Sequence, residues 1–227
     1  MGGNEPALTW REMAVARSLG SARSRAENRV QRFLDAALDL MHDGQGKDFT
    51  VQEVVERSGQ SLRSFYQFFD GKHELLLALF EDSVRATAAL LEERLAAEDD
   101  PLERLHTFVV EYYRYCRPGP RGRTAKTKVP PPAMVAFAQQ LLTDYPQEAA
   151  RAFTPLVSLF GDVLGDAVTA GVVRDDLRQD HVTGVVLQEI MFNAFSSTIV
   201  GSARRAADAD AAEELWNLVF YGIGAPG

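Results

Sequence analysis

Side chains that can read the edges of DNA bases lie close together between residues 61 and 72. Arg63 can donate two hydrogen bonds to guanine O6 and N7, and Gln67 can pair with adenine in the same way. The two residues are four positions apart, so one helix would present both on the same side. This spacing predicts a helix that enters the major groove, and an ordinary helical hairpin in a bundle is the alternative.

Residues with metal-binding chemistry form no comparable arrangement. An acidic cluster at residues 175–181 could hold a metal, but acids placed before the start of a helix are the simpler explanation. None of the histidines belongs to a metal-binding spacing such as H-E-x-x-H. We therefore predict no metal site. The four histidines are His42, His73, His106 and His181.

The single cysteine is the remaining reactive side chain. Cys116 is interpreted as a semi-buried cysteine without a redox role; the alternative is a redox-sensing thiol whose pKa is lowered by the neighbouring Arg114 and Arg117. The sequence contains neither G-x-G-x-x-G nor a P-loop. We predict no catalytic residue and no cofactor, and therefore a protein that is not an enzyme.

The elements around Arg63 follow a short-helix pattern. Apolar residues at helical spacing predict a helix over residues 30–41, and Thr50 with Glu53 three positions later predicts a capping box that opens a second helix. Gly59 breaks the second helix, and Ser61 is the expected N-cap of a third. We expect the third helix to turn Leu62, Phe65 and Phe69 inward, and Arg63, Ser64, Gln67 and Phe68 outward.

Residues 49–75 resemble the DNA-binding region of TetR-family repressors. The matching features are the threonine that opens the second helix, the glycine in the turn, a Tyr-x-x-Phe and a Lys-x-Glu-Leu. In this chain they are Thr50, Gly59, Tyr66 with Phe69, and Lys72 with Glu74 and Leu75. The resemblance covers residues 29–75 and implies an all-α protein with an N-terminal helix-turn-helix domain and a larger helical ligand-binding and dimerisation domain.

The resemblance also implies roles for individual residues. Thr50, Tyr66 and Lys72 would contact phosphates, and Ser61, Arg63, Ser64 and Gln67 would lie in the groove. The family often has tyrosine where this chain has Phe68, so one hydroxyl contact is absent. The candidate DNA-binding residues are Thr50, Ser61, Leu62, Arg63, Ser64, Tyr66, Gln67, Phe68, Lys72 and Arg25.

Positive charge is concentrated near the N-terminus. The whole chain carries a net charge of -8, but residues 11–34 hold six arginines and two glutamates. We expect residues 1–28 to form a flexible basic arm that reaches the minor groove, as related repressors do. A solvated tail and a partly helical segment over residues 10–19 are the alternatives. The expected domains are therefore 1–28, 29–75 and 76–227.

The remaining chain predicts about nine helices in total and a Pro-rich, basic loop over residues 118–132. We expect the last two helices, 180–200 and 208–223, to form the dimer interface, with Trp216 and Phe220 among its apolar residues. A lipophilic or aromatic effector would enter a cavity in this domain. The candidate ligand-binding residues are Phe108, Tyr112, Tyr115, Met134, Phe137, Gln188, Phe192 and Asn193. The alternative for the aromatic residues and Met134 is ordinary core packing, and for Gln188 and Asn193 it is the dimer interface.

The expected function is a transcriptional repressor. Its partners would be double-stranded, palindromic operator DNA, a small-molecule effector and a second copy of the chain, with no membrane. One cysteine and an N-terminus without an apolar signal region suit the cytoplasm. A helical ligand carrier or enzyme with an incidental hairpin is the alternative, and sequence-specific DNA binding discriminates the two.

Overall fold

The computed structural model describes residues 9–43, 48–116, 132–193 and 208–223. These residues form nine α-helices and no β-strand, which confirms the all-α prediction. The helices are α1 (Trp10–Asp43), α2 (Val51–Ser58), α3 (Leu62–Phe65), α4 (Lys72–Leu95), α5 (Pro101–Cys116), α6 (Pro132–Asp144), α7 (Pro146–Thr169), α8 (Gln179–Asn193) and α9 (Asp208–Ile223). Residues 118–131 of the loop predicted over 118–132, and residues 194–200 of the predicted helix 180–200, lie outside the described residues, and Pro132 begins α6.

The chain divides into two compact units, Met1–Leu76 and Leu77–Gly227. An aromatic cluster forms the core of the first unit. The rings of Phe33 on α1 and Phe65 on α3 meet edge to face at 5.4 Å, and Phe69 lies 5.4 Å from Phe65. Because all three rings are buried, α3 is fixed against α1 although it has only four residues.

Helix α1 differs from the prediction. It begins at Trp10 rather than near residue 30, so the expected arm boundary at residue 28 falls inside a helix of 34 residues. The segment 10–29 contains no proline and is rich in alanine and arginine, which are good helix formers. Adding residues to an existing helix is also easier than nucleating one, so the packed part of α1 supports the part before it.

The second unit is built around α5. Phe108 is fully buried and lies 4.8 Å, ring to ring, from Phe160 on α7. On another side of α5, the ring of His106 meets that of Trp216 on α9 at 5.1 Å. Phe80 on α4 packs against Phe153 on α7 at 5.2 Å. Helices α4, α7 and α9 thus each contribute an aromatic side chain to the packing of this unit.

Helix α7 is the described helix that is long and apolar enough to cross a membrane by length and composition alone. The same composition suits the core helix of a water-soluble domain. Phe153, Leu156 and Phe160 of α7 are buried within the second unit. The burial of these side chains favours a core helix.

Candidate functional site

Thr50 and Glu53 fix the start of α2 through the predicted capping box. The Thr50 hydroxyl oxygen accepts a hydrogen bond from the Glu53 amide at 3.2 Å, and the Glu53 carboxylate accepts from the Thr50 amide at 2.7 Å. This backbone hydrogen bond, and a second from the Thr50 hydroxyl, lower the pKa of Glu53. Two of the amides that a helix start leaves unpaired are thereby satisfied.

Gly59 ends α2 in the left-handed conformation, with φ of 64°. Its amide donates to the carbonyl of Glu56, and the amide of Gln60 donates to the carbonyl of Val55, both at 3.3 Å. These two bonds form a Schellman motif, which favours glycine because a Cβ strains this backbone conformation. The motif directs the chain into α3 within three residues.

The third helix is shorter than the sequence pattern indicates. Ser61 is its N-cap, as predicted, and its hydroxyl oxygen accepts from the Ser64 amide at 3.1 Å. After Phe65 the backbone tightens, because the amides of Gln67 and Phe68 bond to carbonyls three residues earlier. The helical path therefore continues as tight turns to Phe69 instead of a regular α-helix.

The exposed face of α3 is rotated from the predicted one. Leu62 is 42% exposed and Tyr66 is 56% exposed, and Arg63 and Gln67 are also exposed. The prediction that Leu62 faces inward was wrong. The prediction that Ser64 and Phe68 face outward was also wrong for Ser64, which is 9% exposed, while Phe68 is half-buried.

The aromatic core explains this rotation. Phe65 and Phe69 must both reach Phe33, and this requirement turns their neighbours 64 and 68 toward the domain. The Ser64 hydroxyl is buried with no hydrogen-bond partner among the described residues. The surface offered by this segment is therefore Leu62, Arg63, Tyr66 and Gln67, which we call the α3 face.

Lys72 lies beside the start of α2. Its ammonium group pairs with the carboxylate of Asp48 and donates to the carbonyl of Phe49 at 2.6 Å. It also lies 4.4 Å from the centre of the Phe49 ring. The hydrogen bond from Lys72 is the main cause of the lowered pKa of Asp48. A positive charge is thus held two residues before the α2 N-terminus, where anions are favoured.

A small apolar cavity lies inside the second unit between α4, α5, α6, α7 and α8. Its volume is about 30 Å³, roughly the share of one water molecule in liquid water. The lining residues are Phe80, Ser83, Val84, Thr87, Tyr112, Tyr115, Cys116, Met134, Ala138, Phe153, Leu156 and Met191.

The polar atoms of this cavity are neutral and mostly paired. Ser83 and Thr87 each donate their hydroxyl hydrogen to a carbonyl four residues earlier on α4, at 2.8 Å, so their oxygen lone pairs remain available. The Tyr112 hydroxyl is hydrogen-bonded to the Cys116 sulfur. Burial raises the pKa of Tyr112 well above its usual value and that of Cys116 to about 12. The lining is therefore uncharged at neutral pH.

The first unit contains most of the region that matches a known protein family. A sequence model of the bacterial regulatory proteins of the tetR family matches residues 33–79, which contain α2, α3 and the start of α4. Over these 47 residues the chain is therefore similar to the TetR family. No curated protein sequence matches it.

Solved structures with the TetR-family fold cover most of the chain at low sequence identity. FadR of Bacillus subtilis, in complex with stearoyl-CoA, aligns with a TM-score of 0.64 and 13% identity over 85% of this chain and 98% of that one. AibR, in complex with isovaleryl coenzyme A and operator DNA, aligns at 0.58 and 15% over 85% and 98%. A TetR family regulator from Marinobacter aquaeolei aligns at 0.61 and 15% over 90% and 100%. At identities this low, the structural alignments show a shared fold and nothing more.

Part of the predicted ligand-binding set lines this apolar cavity. Three predicted ligand-binding residues line it: Tyr112, Tyr115 and Met134. Gln188 is exposed and Phe108 packs on Phe160, so the prediction that they line a cavity was wrong for this one. The lining does not include Phe137, Phe192 or Asn193.

The sequence analysis did not predict that residues of α4 line the cavity, although their pattern could have indicated it. Ser83 and Thr87 are one turn apart on the same helix face as Phe80 and Val84. Two hydroxyl side chains within an apolar stripe could have indicated a cavity lining that offers hydrogen bonds to a ligand. They were missed because hydroxyls on a core helix are commonly satisfied by their own backbone.

The cysteine and the acidic cluster at residues 175–181 have ordinary structural contacts. The Cys116 thiol is buried with a raised pKa, and Arg114 is paired with Glu111, which supports the simpler interpretation of a structural cysteine over a redox sensor. In the acidic cluster, Arg178 pairs with Asp180 at 2.6 Å. Within the described ranges no group of three or more His, Cys, Asp or Glu side chains is placed to hold a metal.

Proposed function

We propose that this protein is a TetR-family transcriptional regulator, a repressor that a small lipophilic molecule releases from its operator. The observation that carries the DNA-binding part is the α3 face, which exposes a guanidinium, an amide, a phenol and an apolar side chain on one short segment. Such a set can hydrogen-bond base edges and contact a thymine methyl group in the major groove.

Each exposed group has a matching partner on DNA. Arg63 would bond guanine, Gln67 would bond adenine, and Leu62 would contact a thymine methyl group. The Tyr66 hydroxyl and the Ser61 hydroxyl would contact phosphates at the edge of the groove. Ser64 and Phe68, being buried and half-buried, are not proposed to read bases.

The start of α2 supports a phosphate contact. The N-terminus of a helix carries partial positive charge and unpaired amides, and here the ammonium group of Lys72 adds a full charge beside it. We propose that a phosphate binds near Thr50 and competes with Asp48 for Lys72. Lys72 donates to the Asp48 carboxylate and the Phe49 carbonyl, and these two hydrogen bonds keep its ammonium group beside the position where the phosphate would bind.

A homodimer would provide two α3 faces for a palindromic operator. Leu218 and Tyr221 on α9 are 67% and 84% exposed, and Val185 on α8 is 52% exposed. These side chains support an interface on α8 and α9. The predicted interface residue Trp216 is instead buried inside its own chain, where it stacks on Phe220 at 4.9 Å.

The cavity supports an effector whose buried part is apolar and uncharged. None of the described residues that line it carries a charge, and the raised pKa of Cys116 reflects the cost of an anion there. A ligand pocket for a drug-sized molecule has about 300–1,000 Å³, so α4–α8 must move apart for such a ligand to enter. The acyl-CoA complexes of FadR and AibR support an acyl chain as the buried part. We place this regulator in the cytoplasm, without a membrane partner.

The test is selection of binding sequences from a random duplex library, followed by footprinting. We expect an enriched palindrome whose half-sites are roughly 34–36 Å apart, one helical turn of DNA. Failure to enrich any sequence would contradict the proposal and would favour the helical ligand carrier. Ligand release is tested separately on the enriched duplex.

A further inference from the structure

The first part of α1 extends beyond the core of its unit. Every described side chain from Val15 to Arg25 is exposed, and full burial begins only at Phe33. The segment from Trp10 to Arg29 has twenty residues and is therefore about 30 Å long. This part of the chain is a projecting helix of nearly six turns.

Arginine side chains are concentrated on one side of this helix. At about 100° per residue, Arg11, Arg25, Arg29 and Arg32 fall within an arc of roughly 60°, and all four are exposed. We call this arc the basic face of α1. Going toward the C-terminus, the first carboxylate next to this arc is the exposed Asp39, about 20° outside it.

The other sides of the helix have different chemistry. Val15, Leu19 and Ala26 form an apolar stripe about 100° away from the basic face. On the opposite side Arg23 pairs with Glu27 at 2.7 Å, so this arginine is partly neutralised within its own helix. The basic face thus concentrates, on one side of the helix, arginines that form no ion pair with another described residue.

We propose that the basic face of α1 binds the phosphate backbone of DNA flanking the bases read by the α3 face, without reading sequence itself. The proposal rests on the proposed DNA-binding function and adds a second contact surface to it. A row of guanidinium groups at helical spacing matches a row of phosphates, and arginine binds phosphate through two parallel hydrogen bonds.

The geometry of α1 decides between phosphates and the minor groove. A helix with its side chains is about 10–12 Å across, whereas the minor groove of B-DNA is about 6 Å wide. An extended arm could enter that groove, but α1 cannot enter it as a helix. The expected minor-groove contact of Arg25 is therefore replaced by a contact at the groove edge.

The test compares two variants of the full-length protein on the duplex enriched by selection. The first is R25Q/R29Q/R32Q, which removes three charges from the basic face and keeps good helix formers. The second, R23Q, is the matched control, because it removes an arginine from the same helix on the opposite side. Circular dichroism checks that both variants retain the helix content of the wild type.

We measure the DNA dissociation constant between 50 and 300 mM salt. Each phosphate contact contributes about 0.9 to the slope of log K against log salt, so the triple variant, which removes six guanidinium groups from a dimer, should lower the slope by up to about 5.4. It should weaken binding by roughly one to two orders of magnitude at 150 mM salt, equally for operator variants with changed bases. R23Q should match the wild type.

Three results would overturn the inference: an unchanged slope in the triple variant, an equal loss in R23Q, or a loss that depends on the base sequence. The last result would place the helix in a major groove. R63A separates this inference from the proposed function, because it should relax base preference while keeping the contribution of the basic face to the salt slope. If the wild type enriches no sequence, the proposed function itself fails.

Discussion

Arg63 is the side chain on the α3 face with the strongest base-reading chemistry. Arg63→Ala should weaken operator binding by about 1–3 kcal/mol and relax preference at one base pair in each half-site. The reason is that two parallel hydrogen bonds to guanine are lost while the rest of the α3 face is kept. Fluorescence anisotropy with a set of single-base operator variants measures both effects.

Ser64→Ala is the control for this prediction. Ser64 neighbours Arg63 in sequence, but its hydroxyl is buried and has no partner among the described residues. Its removal should leave base preference unchanged. A changed preference in Ser64→Ala, or an unchanged one in Arg63→Ala, would show that the orientation of α3 is wrong.

Cys116 should be unreactive in the folded protein. Burial raises the pKa of its thiol to about 12, and the thiolate is the reactive form. Below the unfolded pKa near 8.5 the thiol is protonated in both the folded and the unfolded chain, and the fold has its full stability. The free energy of unfolding falls as the pH rises from there toward the folded pKa, because only the unfolded chain then releases the proton. We expect alkylation at pH 8 to be at least tenfold slower than in the denatured chain.

Mass spectrometry gives this measurement a clean readout, because the chain has one cysteine. Denatured protein at the same pH is the control. Equal rates in the folded and denatured protein would contradict the buried position of the thiol in the cavity. A ligand that enters the cavity should change the rate further, since Cys116 is part of its lining.

At the scale of elements, the α2–α3 turn depends on a glycine in the left-handed conformation. Gly59→Ala should destabilise the protein by about 1–2 kcal/mol, because a Cβ strains this backbone although nothing lies within 4 Å of it. The matched control is Gly161→Ala in α7, where the added Cβ also meets nothing within 4 Å.

Urea unfolding followed by circular dichroism measures both variants. Gly161→Ala should stabilise by about 0.5–1 kcal/mol, because alanine is the better residue inside a helix. The two substitutions are chemically identical, and opposite signs are expected from backbone conformation alone. A stabilising Gly59→Ala would mean that the turn is not left-handed in solution.

At the scale of the whole molecule, α4 links the two proposed activities along the chain. Its first residue, Lys72, contacts Asp48 and Phe49, and its residues Phe80, Ser83, Val84 and Thr87 line the cavity. A ligand that enlarges the cavity must displace this wall. If α4 moves as one helix, the displacement changes the spacing of two α3 faces, which must match one turn of DNA.

Linkage makes this coupling measurable. A ligand that weakens operator binding must itself bind more weakly when operator is present, by the same factor. We expect this for one member of an acyl-CoA series from isovaleryl-CoA to stearoyl-CoA, in calorimetric titrations with and without operator. Ala138→Phe, which fills a fully buried position in the lining, should abolish ligand binding and leave operator binding intact.

The outcome of the paired titrations decides the mechanism. Equal ligand affinities with and without operator would remove release by ligand, while sequence-specific DNA binding could still stand. Loss of operator binding in Ala138→Phe would indicate a disturbed fold, and circular dichroism detects this directly. Met134→Trp is a second variant of the same cavity, placed on the same helix α6.

The sequence alone determined features that depend on neighbours along the chain. The capping box of Thr50 and Glu53, the helix break at Gly59 and the N-cap Ser61 were all predicted and found, because each is closed by residues within a few positions. The same local signals produced the all-α assignment and most helix boundaries in the described part of the chain.

Only the tertiary structure decided which side of each helix is free. The burial of Ser64 and exposure of Leu62 follow from Phe33, about thirty positions away, which fixes Phe65 and Phe69. The cavity likewise depends on five helices that no local pattern brings together. Packing between distant residues sets the rotation of a helix, and hydrophobic spacing on four residues leaves that rotation open by tens of degrees.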